Sequence, residues 1–124
     1  MRAVWIVDDD DEMSHAVKLM LQLLDCEAVI YRDARSAARQ LMAGGRPDVM
    51  ILDINMPEVS GIDLLEFVRR RQETQDIPIV MLSSETTDLQ VDEAMKLGAD
   101  AFVFKPVTME ELEGAIERAV AAHG

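Results

Sequence analysis

Five short apolar runs alternate with stretches of helical periodicity along this chain, and this alternation restricts the fold more than any other feature. Each run is bounded by polar or turn residues, which is typical of strands buried on both faces of a parallel sheet. The runs lie at 3–7, 28–31, 49–52, 79–82 and 101–104, and Asp53 ends the third predicted strand. After each run, apolar residues recur three and four positions apart, which predicts a helix. Alternating strands and helices predict a parallel sheet covered by five helices on both faces.

Several helix starts carry local signals. Asp33 is in the position of an N-cap for the second predicted helix. Thr87 with Gln90, and Thr108 with Glu111, have the spacing of capping boxes at the starts of the fourth and fifth helices. These signals place the helix boundaries independently of the hydrophobic pattern.

Composition and charge limit the function classes. The chain has 124 residues, 49% of them hydrophobic, which predicts a single packed domain over residues 1–124. The net charge of -12 argues against direct DNA binding, because phosphate contacts need a basic face. The arginine run at 69–71 is interpreted as a solvated helix face. Cys26 is the only cysteine, and no apolar run has membrane-spanning length, so we expect a cytoplasmic protein without a membrane partner.

Polar side chains stand where the predicted strands end. Right-handed crossovers between parallel strands bring every carboxyl end to the same edge of the sheet, where ligands bind in open α/β folds. The residues expected at that edge are Asp8, Asp9, Tyr31, Asp53, Ser83 and Lys105. The sequence therefore predicts a functional site made from strand ends.

The chemistry of this edge depends on the strand order, for which two arrangements are common. In the order 2-1-3-4-5, the first and third strands are neighbours, and Asp8 and Asp9 lie beside Asp53. Two carboxylates about 5 Å apart repel by roughly 3 kcal/mol at an effective dielectric near 20, so the cluster needs a cation, a raised pKa, or both. Oxygen ligands on an open edge suit Mg2+. A carboxylate beside a metal, Lys105 and the Ser83 hydroxyl is arranged to accept a phosphoryl group as an aspartyl phosphate.

These motifs together resemble the receiver domain of bacterial two-component response regulators, of the chemotaxis-regulator kind. The resemblance covers nearly the whole chain and rests on Val7-Asp8-Asp9, on residues 52–57 with Gly61, on Ser83, and on Lys105-Pro106. It implies a flavodoxin-like, doubly wound, five-stranded parallel sheet of order 2-1-3-4-5, flanked by five helices.

The resemblance also implies a role for each acidic residue of the site. Asp53 is the expected phosphoacceptor. Asp9 and Asp53 are expected to bind Mg2+ through their side chains, and Asn55 through its backbone carbonyl. Asp8 is expected to act through a water molecule on the metal.

The remaining site residues are expected to read and tune the modification. Ser83 is the expected switch hydroxyl, and Lys105 is expected to hold the phosphoryl group or its counter-ions. Two positions depart from the family pattern. Ser84 stands where Ala or Gly is usual, and Phe102 stands where Tyr is frequent, which bears on output coupling. Asn55 and Glu85 are at positions that modulate hydrolysis of the phosphoryl group in this family.

The implied partners are proteins. A sensor histidine kinase or a histidine phosphotransfer protein is expected to supply the phosphoryl group from its own histidine. A downstream output protein, or an output domain absent from this chain, is expected to read the change. The reading face is expected to be the fourth helix, fifth strand and fifth helix, which is also the candidate homodimer surface. The domain's own chemistry would be limited to self-phosphorylation and self-dephosphorylation, so we expect no enzyme in the usual sense.

Three other functions fit parts of the sequence. A Mg2+-dependent aspartate phosphatase usually carries a second Asp two residues after its nucleophile, and here that position is Asn55. A flavin- or nucleotide-binding domain needs a phosphate-binding loop after the first strand, where this chain has four aspartates, residues 8–11. A pseudo-receiver that only binds partners is left open by Ser84 and Phe102.

Overall fold

The structure, a computed structural model, describes residues 1–84 and 88–124. The strands are β1 (Arg2–Val7), β2 (Cys26–Tyr31), β3 (Val49–Asp53), β4 (Ile79–Ser83) and β5 (Ala101–Phe104). The helices are α1 (Asp11–Leu23), α2 (Ala34–Met42), α3 (Gly61–Arg70), α4 (Asp88–Lys96) and α5 (Met109–His123). None of these helices has both the length and the apolar character needed to span a bilayer.

The five strands form one parallel sheet in the order β2-β1-β3-β4-β5, which confirms the predicted topology. Strand β3 is central and pairs with β1 on one side and with β4 on the other. Every residue of β3 and of β4 is buried. This burial explains why these runs are apolar throughout, since both faces of a parallel sheet are covered by helices.

The sheet separates two hydrophobic cores, because successive residues of a strand point to opposite faces. Met50 and Leu52 of β3 lie in the core beneath α2, α3 and α4. Val49 and Ile51 lie in the other core, beneath α1 and α5. Burying one such side chain stabilises the fold by about 1.5–3 kcal/mol, so two full cores account for the stability of a chain this short.

Most helix starts match the predicted signals. Asp33 caps α2 by accepting a hydrogen bond from the Ser36 N–H at 2.7 Å. The capping box of Thr108 and Glu111 is formed at α5. Thr87 of the other predicted box lies outside the described residues. A further capping box, Ser60 with Asp63 at α3, is not among the helix starts that the sequence analysis predicted.

The interpretation of residues 69–71 as a solvated face is wrong for Arg69. Its guanidinium forms an ion pair with Asp100 at 2.9 Å, and the two side chains are only 13% and 10% exposed. His123 of α5 contacts the same carboxylate at 2.9 Å. Arg69 also donates hydrogen bonds to three backbone carbonyls, those of Gln75, Ile77 and Gly98. This network joins α3, the loop before β5 and the end of α5 at the amino edge of the sheet.

Candidate functional site

Polar residues end the central strands at the carboxyl edge of the sheet, as the sequence predicted. Asp8 directly follows β1, Asp53 is the last residue of β3, and Ser83 is the last residue of β4. Lys105 follows β5, and its N–H donates to the Ser83 carbonyl at 2.8 Å. The structure therefore brings Asp8, Asp53, Ser83 and Lys105 to the same edge.

Three carboxylates form the acidic part of the site. Each of Asp8, Asp9 and Asp53 offers one carboxylate oxygen within 4.8 Å of the other two. Asp8 and Asp53 are only 1% and 4% exposed, whereas Asp9 is exposed to solvent. Burying two neighbouring carboxylates is costly unless opposite charge or protons compensate.

Lys105 supplies part of that compensation. Its Nζ lies 3.2 Å from Oδ2 of Asp8 and 3.6 Å from Oδ2 of Asp53. The Oδ2 atom of Asp8 is buried and makes this ion pair without forming a hydrogen bond. One ammonium group thus offsets part of the charge of two carboxylates. Oδ2 of Asp8 lacks a hydrogen-bond donor and can accept a further ligand.

The raised pKa of Asp53 reflects the incomplete compensation of the negative charge by Lys105. Burial raises the pKa of this carboxyl from 3.8 to about 7, and the charge of Asp8 and a hydrogen bond with it act in the same direction. Lys105 and the Asn55 N–H, which donates to Oδ1 of Asp53 at 3.3 Å, oppose the rise. A second cation beside Asp53 would favour its ionised form.

The backbone around Asp53 is fixed on both sides. The Ile54 N–H donates to the Leu82 carbonyl at 3.0 Å, which continues the pairing of β3 with β4. The Gly61 N–H donates to the Ile54 carbonyl at 3.1 Å. A Cβ atom at position 61 would overlap the Asp53 carbonyl oxygen. Position 61 therefore requires glycine because α3 begins against the end of β3.

Asp8 is positioned by its neighbours on β2 and α1. Its N–H donates to the Tyr31 carbonyl at 3.0 Å, and its Oδ1 accepts from the Asp10 N–H at 3.0 Å. The Ser14 hydroxyl donates to the Asp8 carbonyl at 3.4 Å. Ser14 was missed in the sequence, where the only signal was a small polar residue on the buried stripe of α1.

The predicted switch residues differ in their surroundings. Ser83 is fully buried, while Ser84 is exposed. Phe102 is half-buried, packs against the core beneath α2, α3 and α4, and lies with its ring 5.0 Å from that of Phe104. Glu85 lies outside the described residues.

The donor set of the acidic cluster fits a hard divalent cation. Its donors are carboxylate oxygens, which such cations prefer to nitrogen or sulfur. Three carboxylates converge within reach of one ion, and the Oδ2 atom of Asp8 is buried without a hydrogen bond. The charge of a bound cation would offset the effects of burial and of repulsion from Asp8, which together raise the pKa of Asp53.

Comparison with known proteins gives a consistent answer. The sequence model for the response regulator receiver domain matches residues 4–117. The chain is 32% identical over 115 residues to the chemotaxis protein CheY of Pseudomonas aeruginosa, and the match covers 93% of each chain. It is 34% identical over 113 residues to CheY1 of Helicobacter pylori, covering 90% of this chain and 91% of that one.

A solved structure agrees with the sequence matches. The chemotaxis protein CheY4 of Vibrio cholerae superposes with a TM-score of 0.86 at 32% identity, covering 96% of this chain and 98% of that one. The family match, the identity to the chemotaxis proteins and the shared fold agree, and the chain therefore belongs to the bacterial response regulator receiver domains, of the chemotaxis-regulator type.

Proposed function

We propose that this domain is a phosphorylation-controlled signalling switch in which Asp53 accepts the phosphoryl group. The donor is a phosphohistidine of a sensor histidine kinase or of a histidine phosphotransfer protein. The observation that carries the proposal is the position of Asp53. Its buried carboxylate ends the central strand, with Asp8 on one side and the Lys105 ammonium 3.6 Å away.

The transfer exchanges one bond to phosphorus for another. A carboxylate oxygen of Asp53 attacks the phosphorus atom, and the bond between phosphorus and the donor's imidazole nitrogen breaks. The electron pair of that bond returns to the imidazole, and the product is an acyl phosphate on Asp53. The nucleophile must be deprotonated, which makes its raised pKa relevant to the rate.

We assign Mg2+ to the acidic cluster. The side chains of Asp9 and Asp53 and the backbone carbonyl of Asn55 would hold the ion, and Asp8 would act through one of its water molecules. When bound, Mg2+ supplies positive charge against the phosphoryl oxygens and against the carboxylates. The three converging carboxylates support this assignment, as does the buried Oδ2 of Asp8, which has an ion pair with Lys105 but no hydrogen bond.

Lys105 and Ser83 are assigned to the new phosphoryl group. The ammonium of Lys105 already reaches Asp53, so it needs little movement to contact an oxygen added there. Ser83 ends the neighbouring strand, and its hydroxyl is assigned to hydrogen-bond a phosphoryl oxygen. Phe102 and Ser84 are assigned to carry the change outward, and Glu85 to modulate hydrolysis.

The readers of the switch are proposed to be proteins. The face formed by α4, β5 and α5 is assigned to an output protein or an output domain, or to a second copy of the chain. Residues 1–124 would act as one phosphoacceptor domain, without direct DNA binding. Its own catalysis would be limited to self-phosphorylation and self-dephosphorylation rather than turnover of a separate substrate.

Intact mass spectrometry tests this function. The protein is incubated with acetyl phosphate, with and without Mg2+, beside an Asp53→Asn variant. One phosphoryl adduct should form with release of acetate, it should require Mg2+, and it should be absent from the variant. A folded protein that gives no adduct under any of these conditions would overturn the proposal, and an adduct that persists in Asp53→Asn would move the acceptor elsewhere.

A further inference from the structure

A groove between α3 and α4 lies apart from the phosphoacceptor site. It encloses about 460 Å3 and is lined by Glu66, Leu89, Asp92, Glu93, Lys96 and Leu97. It is on the flank of α4 that faces α3, so it is distinct from the face that α4 shares with β5 and α5. None of its residues takes part in the chemistry proposed above.

Two leucines give the groove an apolar floor and rim. Leu89 is 82% exposed. Leu97 is half-buried and packs against the core beneath α2, α3 and α4. Removing a leucine side chain from water is favourable, so a partner that covered Leu89 would gain stabilisation that the free domain lacks.

The charged residues of the groove favour a basic partner. Within the described part of the chain, neither Asp92 nor Glu93 forms an ion pair. Glu66 is paired with Arg70 on its own helix at 2.9 Å. Lys96 is the one cation among the lining residues. Two carboxylates without a cation therefore flank an exposed leucine, on a chain whose net charge is -12.

We infer that this groove binds an amphipathic helix of a partner protein, with apolar residues over Leu89 and Leu97 and Lys or Arg residues facing Asp92 and Glu93. Leu89 of α4 and Leu97, just after its end, are eight positions apart, which corresponds to a helical rise of about 12 Å. A helix that presents apolar residues at i, i+4 and i+8 spans that distance. A second copy of this acidic chain is the less suitable occupant, because its net charge would oppose the approach.

A designed peptide can test the groove on the unphosphorylated protein, so the result is independent of the proposed phosphorylation. The probe is a 16-residue Leu/Lys peptide with leucines on one helical face, compared with a peptide of identical composition in scrambled order. Binding is followed by amide chemical shifts in 15N NMR. Shifts should concentrate on α3 and α4, and the scrambled peptide should bind at least about 10-fold more weakly.

Variants of the chain separate the groove from general attraction to an acidic protein. Leu89→Ser should weaken binding about 10-fold or more, and its exposed position predicts unchanged thermal unfolding. Glu93→Lys should also weaken binding. Glu117→Lys makes the same charge change on α5, on the opposite face of the sheet, and should leave binding nearly unchanged.

Several results would overturn the inference. The first is equal binding of the scrambled and ordered peptides. The second is a loss of binding in Glu117→Lys as large as in Glu93→Lys. The third is a set of chemical shift changes concentrated on β5 and α5. Light scattering adds one more test. A dimer that dissociates on Leu89→Ser would show that a second copy, and not a basic helix, occupies the groove.

Discussion

The Lys105 ammonium lies 3.2 Å from Oδ2 of Asp8, closer than its 3.6 Å approach to Asp53. The lysine therefore stabilises the negative charge of Asp8 more directly than that of Asp53. This division is consistent with the pKa of about 7 at Asp53, where burial and the charge of Asp8 outweigh the lysine. A single cation in this position leaves the Asp53 carboxyl only partly ionised near neutral pH.

Replacing Lys105 by Met should raise the pKa of Asp53 further. The Lys105 charge lowers the pKa of this carboxyl, and its loss should shift the pKa upward by about 1 unit in metal-free protein. Carbon-13 NMR of the Asp53 side-chain carboxyl, titrated against pH, measures this directly. Lys96→Met, on α4, is the matched control and should leave the pKa near 7. An unchanged or lower pKa in Lys105→Met would contradict the assignment.

Asp53 should make metal-free stability depend on pH. Its folded pKa of about 7 is raised above the ordinary 3.8, so the folded state binds the proton more tightly than the unfolded state. Its contribution to stability is complete below about pH 4 and is lost as pH rises through 7. The free energy of unfolding of wild type, relative to Asp53→Asn, should fall by on the order of 2 kcal/mol between pH 4 and 8.

Urea unfolding of both proteins at a series of pH values measures this difference, since contributions from other groups cancel between them. A difference that grows with pH would mean that Asp53 is ionised more easily in the folded state. Repeating the series with Mg2+ should flatten the dependence, because a bound cation favours the ionised form.

Asp9 should be needed for metal-induced stabilisation but not for folding. Its side chain is exposed and belongs to the acidic cluster, so Asp9→Asn removes a ligand without leaving a buried cavity. At a Mg2+ concentration 100-fold above the dissociation constant, binding adds about 2.7 kcal/mol to wild-type stability. Most of that gain should be absent from Asp9→Asn. Asp25→Asn, an exposed acid at the other end of α1, should keep the full gain.

Gly61 and Gly114 should respond oppositely to replacement by Ala. A Cβ at position 61 would overlap the Asp53 carbonyl oxygen, so Gly61→Ala should destabilise the domain by about 1–3 kcal/mol and slow adduct formation. At position 114 in α5 the nearest atom is Nη1 of Arg118, at 3.5 Å. Gly114→Ala should therefore stabilise the helix by about 0.5–1 kcal/mol. Thermal unfolding of both variants checks the signs.

Arg69 and Arg70 are adjacent in sequence, but their replacement should change the free energy of unfolding by very different amounts. Arg69 is paired with Asp100 at 13% exposure, whereas the Arg70 side chain is 78% exposed in its pair with Glu66. Arg69→Met removes the guanidinium from the Asp100 carboxylate, which keeps its contacts with His123 and the Ile79 N–H, and leaves three carbonyls without this donor. It should cost about 3 kcal/mol. Arg70→Met should change stability by less than about 0.5 kcal/mol. Equal effects in denaturant unfolding would show that burial does not decide the difference.

The strands and the acidic edge could be predicted because both follow from one strong pattern. Apolar runs such as 49–52 are long enough to identify a buried strand, and a parallel sheet then places every strand end together. Asp8, Asp53 and Lys105 come together as that argument requires.

Other features could not be predicted because they depend on tertiary contacts. Arg69 belongs to a run of three arginines, and nothing local shows that only the first turns inward toward Asp100. Ser14 looks like an ordinary helix residue until α1 packs over the Asp8 carbonyl. The capping box of Ser60 with Asp63 flanks Gly61, the first residue of α3. Glycine is needed there because of the contact with Asp53, which only the folded structure shows.

The position of β3 in the middle of the sheet has a consequence for how a signal can leave Asp53. Its backbone is held by β1 and β4 at once, so the strand cannot slide when a charge is added to its last residue. The backbone of Asp53 is therefore held at a fixed position within the sheet. A conformational change that started at Asp53 would therefore be transmitted by side chains and loops at the neighbouring strand ends, while the strands of the sheet kept their positions.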